Sequence, residues 1–302
     1  MKLEPSDRVA NVPPSGIRRF FELAEEMDDV ISLGVGEPDF SAPWRAREAA
    51  ITSLELGKTS YTANRGKREL REAIAADARR WNLEYDPDSE VLVTAAVAQP
   101  CYVSYRPGVT FAGGEVLDVP TRVEDEFTLT REVLADAGAE DADLLVYCYP
   151  NNPTGATMDR DALAEVAAFC REHDIAVMSD EIYADLTYNR EHVSIAELDG
   201  MRERTIVFNG FSKAYAMTGL RLGYAMGPAE AITAMNRVHQ YTMLSAPTTA
   251  QHAAIEALEN CRDAVTEMCA QYDRRRNFVL SRFEEMGIDC FEATGAFYVF
   301  PE

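Results

Sequence analysis

Only four of the 29 Lys and Arg residues in this 302-residue chain are lysines, and one of them, Lys213, sits among residues that suit chemistry. It follows the apolar run Thr205-Ile-Val-Phe208 in the stretch FNGFSKAYAMTGLR, with Gly210, Ser212, Ala214 and Gly219 around it. An isolated surface lysine is ordinarily a solvated charge. One at the end of a buried-strand pattern, among small residues, is placed to act as an amine. Partial burial lowers its pKa, and a neutral amine can form an imine with an aldehyde cofactor.

Other polar groups fall at equivalent places, just past apolar runs. After 144–149 comes Pro150-Asn-Asn-Pro-Thr-Gly155, where Asn152 precedes proline and is held extended with its amide available for hydrogen bonding. After 175–178 comes Ser179-Asp-Glu-Ile-Tyr183. Asp180 ends that run, and Tyr183 shares its side if the chain turns helically. Arg221 enters a further apolar stretch, where a guanidinium needs an anion or a carboxylate. Singly, these read as an Asn-Pro turn, a helix N-cap aspartate and a structural ion pair. Together they place an amide, a carboxylate, a phenol, an amine and a guanidinium in one crevice. That set suits an anionic aromatic aldehyde with a ring nitrogen, which describes pyridoxal phosphate.

The elements that must hold these groups follow from the hydrophobic pattern. Strand-like runs at 91–95, 115–119, 144–149, 175–179, 205–208 and 220–226 alternate with helical stretches such as Asp159–His173. Several runs are apolar on successive residues, as strands covered on both faces are, so the spacing predicts an α/β domain with a largely parallel sheet. In such a sheet ligands bind beyond the carboxyl ends of the strands. Helices are predicted at Ser15–Met27, Ala42–Leu56, Lys67–Trp81 and Arg262–Met286, with a last strand at Gly295–Phe300. Gly34, Gly36 and Pro38 mark a turn where backbone can approach a ligand closely. Neither that turn nor Gly66-Lys67-Arg68 has the spacing of a nucleotide-binding loop.

Composition bounds the rest. The net charge of −22 argues against nucleic-acid or anionic-membrane partners and fits an acidic, salt-adapted cytoplasm. The six cysteines form no CxxC pair and read as buried thiols in a reducing compartment. The four histidines form no HExxH, so no metal is expected. The first residues lack the pattern of a signal peptide, and no apolar run approaches the ~20 residues that span a bilayer.

SLGVGEPDF, YTANRGKRELREAI, PNNPTG, SDEIYADLTY and NGFSKAYAMTGLRLGY together resemble the class I and II aminotransferases, of the fold-type I pyridoxal-phosphate enzymes. The resemblance implies a mostly parallel sheet flanked by helices in a large cofactor-binding domain over 41–254. A smaller α/β domain from 1–40 and 255–302 would accompany it, its C-terminal part cut short at Glu302. By the match, Lys213 resembles the imine-forming lysine, which also moves the substrate proton. Asp180 resembles the partner of the pyridine nitrogen. Asn152 and Tyr183 resemble the partners of the ring oxygen. Arg221, with help from Ser212, resembles the phosphate ligand, and Tyr102 resembles the aromatic residue stacked on the ring. Gly36 resembles the backbone donor to the substrate carboxylate. Tyr61 resembles a tyrosine reaching the phosphate of a neighbouring subunit, which implies a homodimer.

The sequence also departs from the family. Gly210 stands where a serine is common. Between Ala95 and Gln99 the chain runs directly on to Tyr102, without the loop and helix whose N–H groups hold the phosphate. Three functions remain in view: amino-group transfer between an L-amino acid and a 2-oxo acid; a lyase on the same fold; and a non-catalytic relic lacking the phosphate helix.

Overall fold

The computed structural model describes residues 6, 10, 12, 36–94 and 104–301. Tyr102, the stretch around 95–99 and the helix expected at Ser15–Met27 lie outside the described residues. The first helices are α1 (Trp44–Glu55) and α2 (Arg68–Ala78), followed by strand β1 (Val91–Thr94). Then come α3 (Tyr105–Ala112), α4 (Arg131–Asp136), β2 (Leu144–Cys148), α5 (Arg160–Glu172) and β3 (Ala176–Asp180). The chain continues through β4 (Thr205–Gly210), β5 (Gly223–Met226), α6 (Ala229–Thr242), α7 (Thr248–Asn260) and α8 (Arg262–Met286).

The sheet has the order β1-β5-β4-β3-β2. β2, β3 and β4 pair in parallel, while β5 runs antiparallel to both β4 and β1. Four strands therefore point one way and only β5 is reversed, which bears out the expected α/β architecture. The carboxyl ends of β2, β3 and β4 share one edge, and that edge carries Cys148, Asp180 and Gly210.

Alternation explains the continuous apolar runs. Val91 and Val93 face a core built with α2 and α7, while Leu92 packs with Phe208, Ala225 and Ile232 of α6 on the opposite side. Both faces are covered, so no polar residue is tolerated in β1 until Thr94. α2 buries Leu70, Ile74, Ala75 and Ala78 along one stripe, and each fully buried Leu or Ile contributes about 1.5–3 kcal/mol. α5 begins where the Asp159 side chain accepts from Ala162 N at 2.9 Å. α8 ends at Gly287 in the left-handed region, with φ of 68°. Arg262 at its start and Arg80 both reach the Asp185 carboxylate, at 2.5 and 3.0 Å. Burial alone would raise the Asp185 carboxyl, but these two guanidinium groups hold it below its usual range.

Three expected strands change. Residues 115–119 form no strand; they lie near the surface and pair with no strand among the described residues. Gly295–Phe300 is no strand either; among the described residues its one bridge is the isolated Thr187–Gly295 pair, with a second bridge, Cys290–Pro301, flanking it. The strand expected at 220–226 begins only at Gly223, because Thr218–Leu220 is a 3-10 turn and Arg221 has φ of 51°.

Candidate active site

Each predicted site residue has a local reason for its place. In the turn after β2, two adjacent asparagines divide the work. Asn151 holds the turn: its Nδ2 donates to Cys148 O, and its Oδ1 accepts from the N and Oγ1 of Thr154. Asn152 is thereby left to turn its amide outward, where Nδ2 donates to the Tyr298 hydroxyl at 3.1 Å. The turn closes at Gly155, whose φ is 74° and whose carbonyl accepts from Thr294 N and Gly295 N. A Cβ there would lie 2.5 Å from Ala293 Cβ and 2.9 Å from Gly295 O. Gly155→Ala is therefore expected to destabilise the fold by about 1–3 kcal/mol through strain and overpacking, read as a lowered melting temperature.

Asp180 is the last residue of β3, set between Cys148 of β2 and Phe208 of β4, and only 2% exposed. Its Oδ1 accepts from Ile182 N at 3.0 Å, which turns the chain so that Tyr183 follows on the same side. The adjacent Glu181 is fully buried and braces this turn. It accepts from the hydroxyls of Ser179 and Ser194, and its second oxygen lies 2.9 Å from His192 Nε2. Tyr183 is buried, and desolvation first, then Tyr298, pushes its phenol well above the ordinary range.

Lys213 lies in the turn after β4. Its Nζ donates to Gly36 O at 2.5 Å and sits 5.6 Å from the centre of the Tyr183 ring and 5.4 Å from that of Phe297. Burial pulls its pKa down to about 8, against the upward pull of Glu37 and Asp180; Arg221 adds to the depression. The amine thus stands on the same edge of the sheet as the Asp180 carboxylate. Ser212 is half-buried beside it, and Arg221 is exposed, with Nη1 donating to Thr218 O at 2.8 Å.

Gly210 has a packing reason for lacking a side chain. A Cβ there would stand 2.9 Å from Gly223 Cα and 3.1 Å from Leu222 O, so the serine common at this place does not fit against β5. Tyr61 is apart from the cluster. The loop that carries it is pinned to α7, since Ser60 O accepts from Thr248 and Thr62 Oγ1 from Gln251, while Tyr61 itself is 81% exposed.

Two participants were not singled out in the sequence. Tyr298 hydroxyl lies 2.5 Å from Tyr183 hydroxyl and bonds the Asn152 amide. Glu37 raises the Lys213 amine and bonds Thr218. Tyr298 was hidden by reading 295–300 as a strand. The run Phe297-Tyr298-Val-Phe300 carried the signal, because so much aromatic surface beside Gly295 suits a pocket wall as well as a sheet.

The donor set fits pyridoxal phosphate. Asn152 and Tyr183 converge on one phenolic oxygen, as they would on a ring hydroxyl. Beside them are an amine of low pKa, a buried carboxylate and an exposed guanidinium.

The family model "Aminotransferase class I and II" matches residues 94–302. The chain is 45% identical to the putative aminotransferase YugH of Bacillus subtilis, over 98% of this chain and 82% of that protein. It is 43% identical to the aspartate aminotransferase of Pyrococcus abyssi, with the same coverage of each. The structure of the Thermus thermophilus aspartate aminotransferase with maleate superimposes with a TM-score of 0.92 at 37% identity, over 99% of this chain and 85% of that one. The two sequence matches run to 317 and 320 positions, more than the 302 residues present, so each relative carries internal residues with no counterpart here.

Proposed function

This chain belongs to the class I and II aminotransferases, and from that premise we propose that Lys213, Asp180, Asn152, Tyr183, Ser212 and Arg221 form its cofactor site. The enzyme transfers an amino group between an L-amino acid and a 2-oxo acid and uses pyridoxal 5'-phosphate. The relatives are named aminotransferases, which favours this reaction over the lyase and the non-catalytic readings. The observation that carries the site assignment is the meeting of the Asn152 amide and Tyr183 phenol at one oxygen position beside the Lys213 amine.

When bound, the cofactor supplies an aldehyde for an amine to capture and a protonated ring that withdraws electrons from the substrate Cα–H bond. The chain supplies the rest. Lys213 Nζ would hold the cofactor at its aldehyde carbon and would be the base that takes the Cα proton. Asp180 holds a proton at the ring nitrogen. Tyr183 and Asn152 hydrogen bond the ring oxygen, and Arg221, assisted by Ser212, balances the phosphate charge. Tyr102 is proposed to stack on the ring, and the Gly36 backbone to meet the substrate carboxylate. The aromatic walls of Tyr183 and Phe297 exclude water from the amine.

The test is direct. Protein mixed with pyridoxal phosphate, an amino acid and 2-oxoglutarate should produce glutamate, and a near-visible absorbance band should form that borohydride abolishes and that Lys213→Ala lacks. Absence of glutamate with every donor class tried, acidic, aromatic and alanine-like, would overturn the reading.

We further propose a homodimer in which Tyr61 reaches the partner's phosphate, with 41–254 as the cofactor domain and 1–40 plus 255–302 as the smaller one. Support comes from the surface beside Tyr61. Trp44, Ile51, Leu54 and Leu56 are exposed there on and after α1, and Tyr241, Met243 and Leu244 at the end of α6. Asn64, in the loop that carries Tyr61, ties that loop to the second patch by donating to Leu244 O at 2.8 Å. Leu56→Asp should shift the chain toward monomer in sedimentation and lower activity with it; unchanged mass would sink the dimer assignment. Among the described residues no helix is long and apolar enough to cross a membrane, and a cytoplasmic setting is proposed on the acidic composition.

A further inference from the structure

We propose that the Tyr298 hydroxyl is a built-in stand-in for the cofactor's ring oxygen: it occupies that place in the free protein and must leave it for the cofactor to seat. The proposal rests on the site assignment given above and adds a competitor to it.

The two polar groups assigned to the ring oxygen already share one partner. Asn152 Nδ2 lies 3.1 Å from the Tyr298 hydroxyl, and the Tyr183 hydroxyl lies 2.5 Å from it. Whichever way the Tyr183–Tyr298 hydrogen bond runs, two oxygens cannot stand at that point together. Ring contacts hold the tip as well. The Tyr298 ring stands edge-on to Tyr183 with centres 5.7 Å apart, and Phe297 meets the same ring edge-on at 5.4 Å. Phe297 also lies 5.4 Å from Lys213 Nζ, so this pair of residues covers the phenol and the amine at once. Gly36 completes the fit, since a Cβ there would collide with the Tyr298 hydroxyl.

The chain behind the tip is anchored, and the joint is strained. Thr294 N and Gly295 N both donate to Gly155 O, and Ala296 N donates to Leu186 O at 2.8 Å. Ala296 O in turn accepts from the Tyr188 hydroxyl. Ala296 has φ of 55°, a region that disfavours a residue with a Cβ. The strain therefore sits between the anchored segment and the Phe297-Tyr298 tip, where a turn of the tip can release it. The anchor need not move. While the tip is in place the site is closed to the cofactor's ring oxygen, and apparent affinity falls by the fraction of molecules so closed.

Cofactor affinity tests this. Protein is titrated with pyridoxal phosphate and the Lys213-dependent absorbance band is followed. Tyr298→Phe keeps the ring and removes the competing oxygen. In Y298F the Kd should fall about threefold or more, because the closed state loses hydrogen bonds that the cofactor-bound state does not use. Tyr298→Leu serves the same test should the phenylalanine variant not fold. Tighter binding is the opposite of what damage to a supporting residue produces. An analogue of pyridoxal phosphate without the ring hydroxyl gives a second arm. It does not contend for the oxygen's place, so Y298F should bind it no better than the wild-type protein does. Equal or weaker binding of pyridoxal phosphate by the folded variant, or an equal gain for both compounds, overturns the exchange and leaves the Lys213 assignment standing. No band in the wild-type protein overturns both.

Discussion

Lys213→Ala should lower the rate of glutamate formation by about 10⁴-fold or more, with the near-visible band lost and the melting temperature little changed. Two roles end together in this variant, capture of the cofactor and transfer of the substrate proton. Among the described residues the other lysines are Lys58 and Lys67, and neither is in the cluster: Lys67 pairs with Glu69 at the start of α2. The pH dependence separates the chemical role from a packing role. Burial brings the amine to about 8, from 10.5 for an ordinary lysine. At pH 7 about a tenth of it is neutral, against less than a thousandth without the shift. Because the neutral form attacks, capture of pyridoxal phosphate should speed up as pH rises through about 8 and level off above it. A rise that continues to pH 10 would mean that the amine is solvated, and the assignment of Lys213 would fall with it.

The depressed pKa was expected from four small neighbours and one apolar run, which is why Lys213 was legible in sequence. Asp180 and Asn152 were legible for a related reason: each ends or follows a strand whose both-sided burial writes itself as unbroken hydrophobicity. The helices were legible too, α8 at Arg262–Met286 and α5 framed by Asp159, because a cap, a periodic stripe and a terminal glycine are local signals. What local pattern does not carry is pairing. Residues 115–119 carry the β-forming Val116 and Val119, but a strand also needs a partner, and among the described residues no strand pairs with them. Gly295–Phe300 has β-forming residues, yet Gly155 draws its start into a turn and leaves Tyr298 against Tyr183 and Asn152. These contacts join residues more than a hundred apart, and no window of sequence contains both ends. Gly210 is the converse case: it stands where the family commonly has a serine, and the structure gives that departure a spatial cause in the close approach of Gly223.

Asp180→Asn should lower turnover by about 10² to 10³-fold while leaving the Lys213-dependent band in place. The substitution is nearly isosteric. Asn Oδ1 can still accept from Ile182 N, so the turn that carries Tyr183 should survive. What is lost is the negative charge, and with it the means of keeping the ring nitrogen protonated in a site that is 2% exposed at this residue. A second readout moves the other way. Asp180 pulls the Lys213 pKa upward, so removing its charge should lower the amine below about 8 and speed cofactor capture at pH 7. Faster capture with slower turnover is a signature that misfolding does not produce, since a damaged site would lose both. If D180N keeps full turnover, the carboxylate serves only the turn, and the electron-withdrawing role must rest on another group.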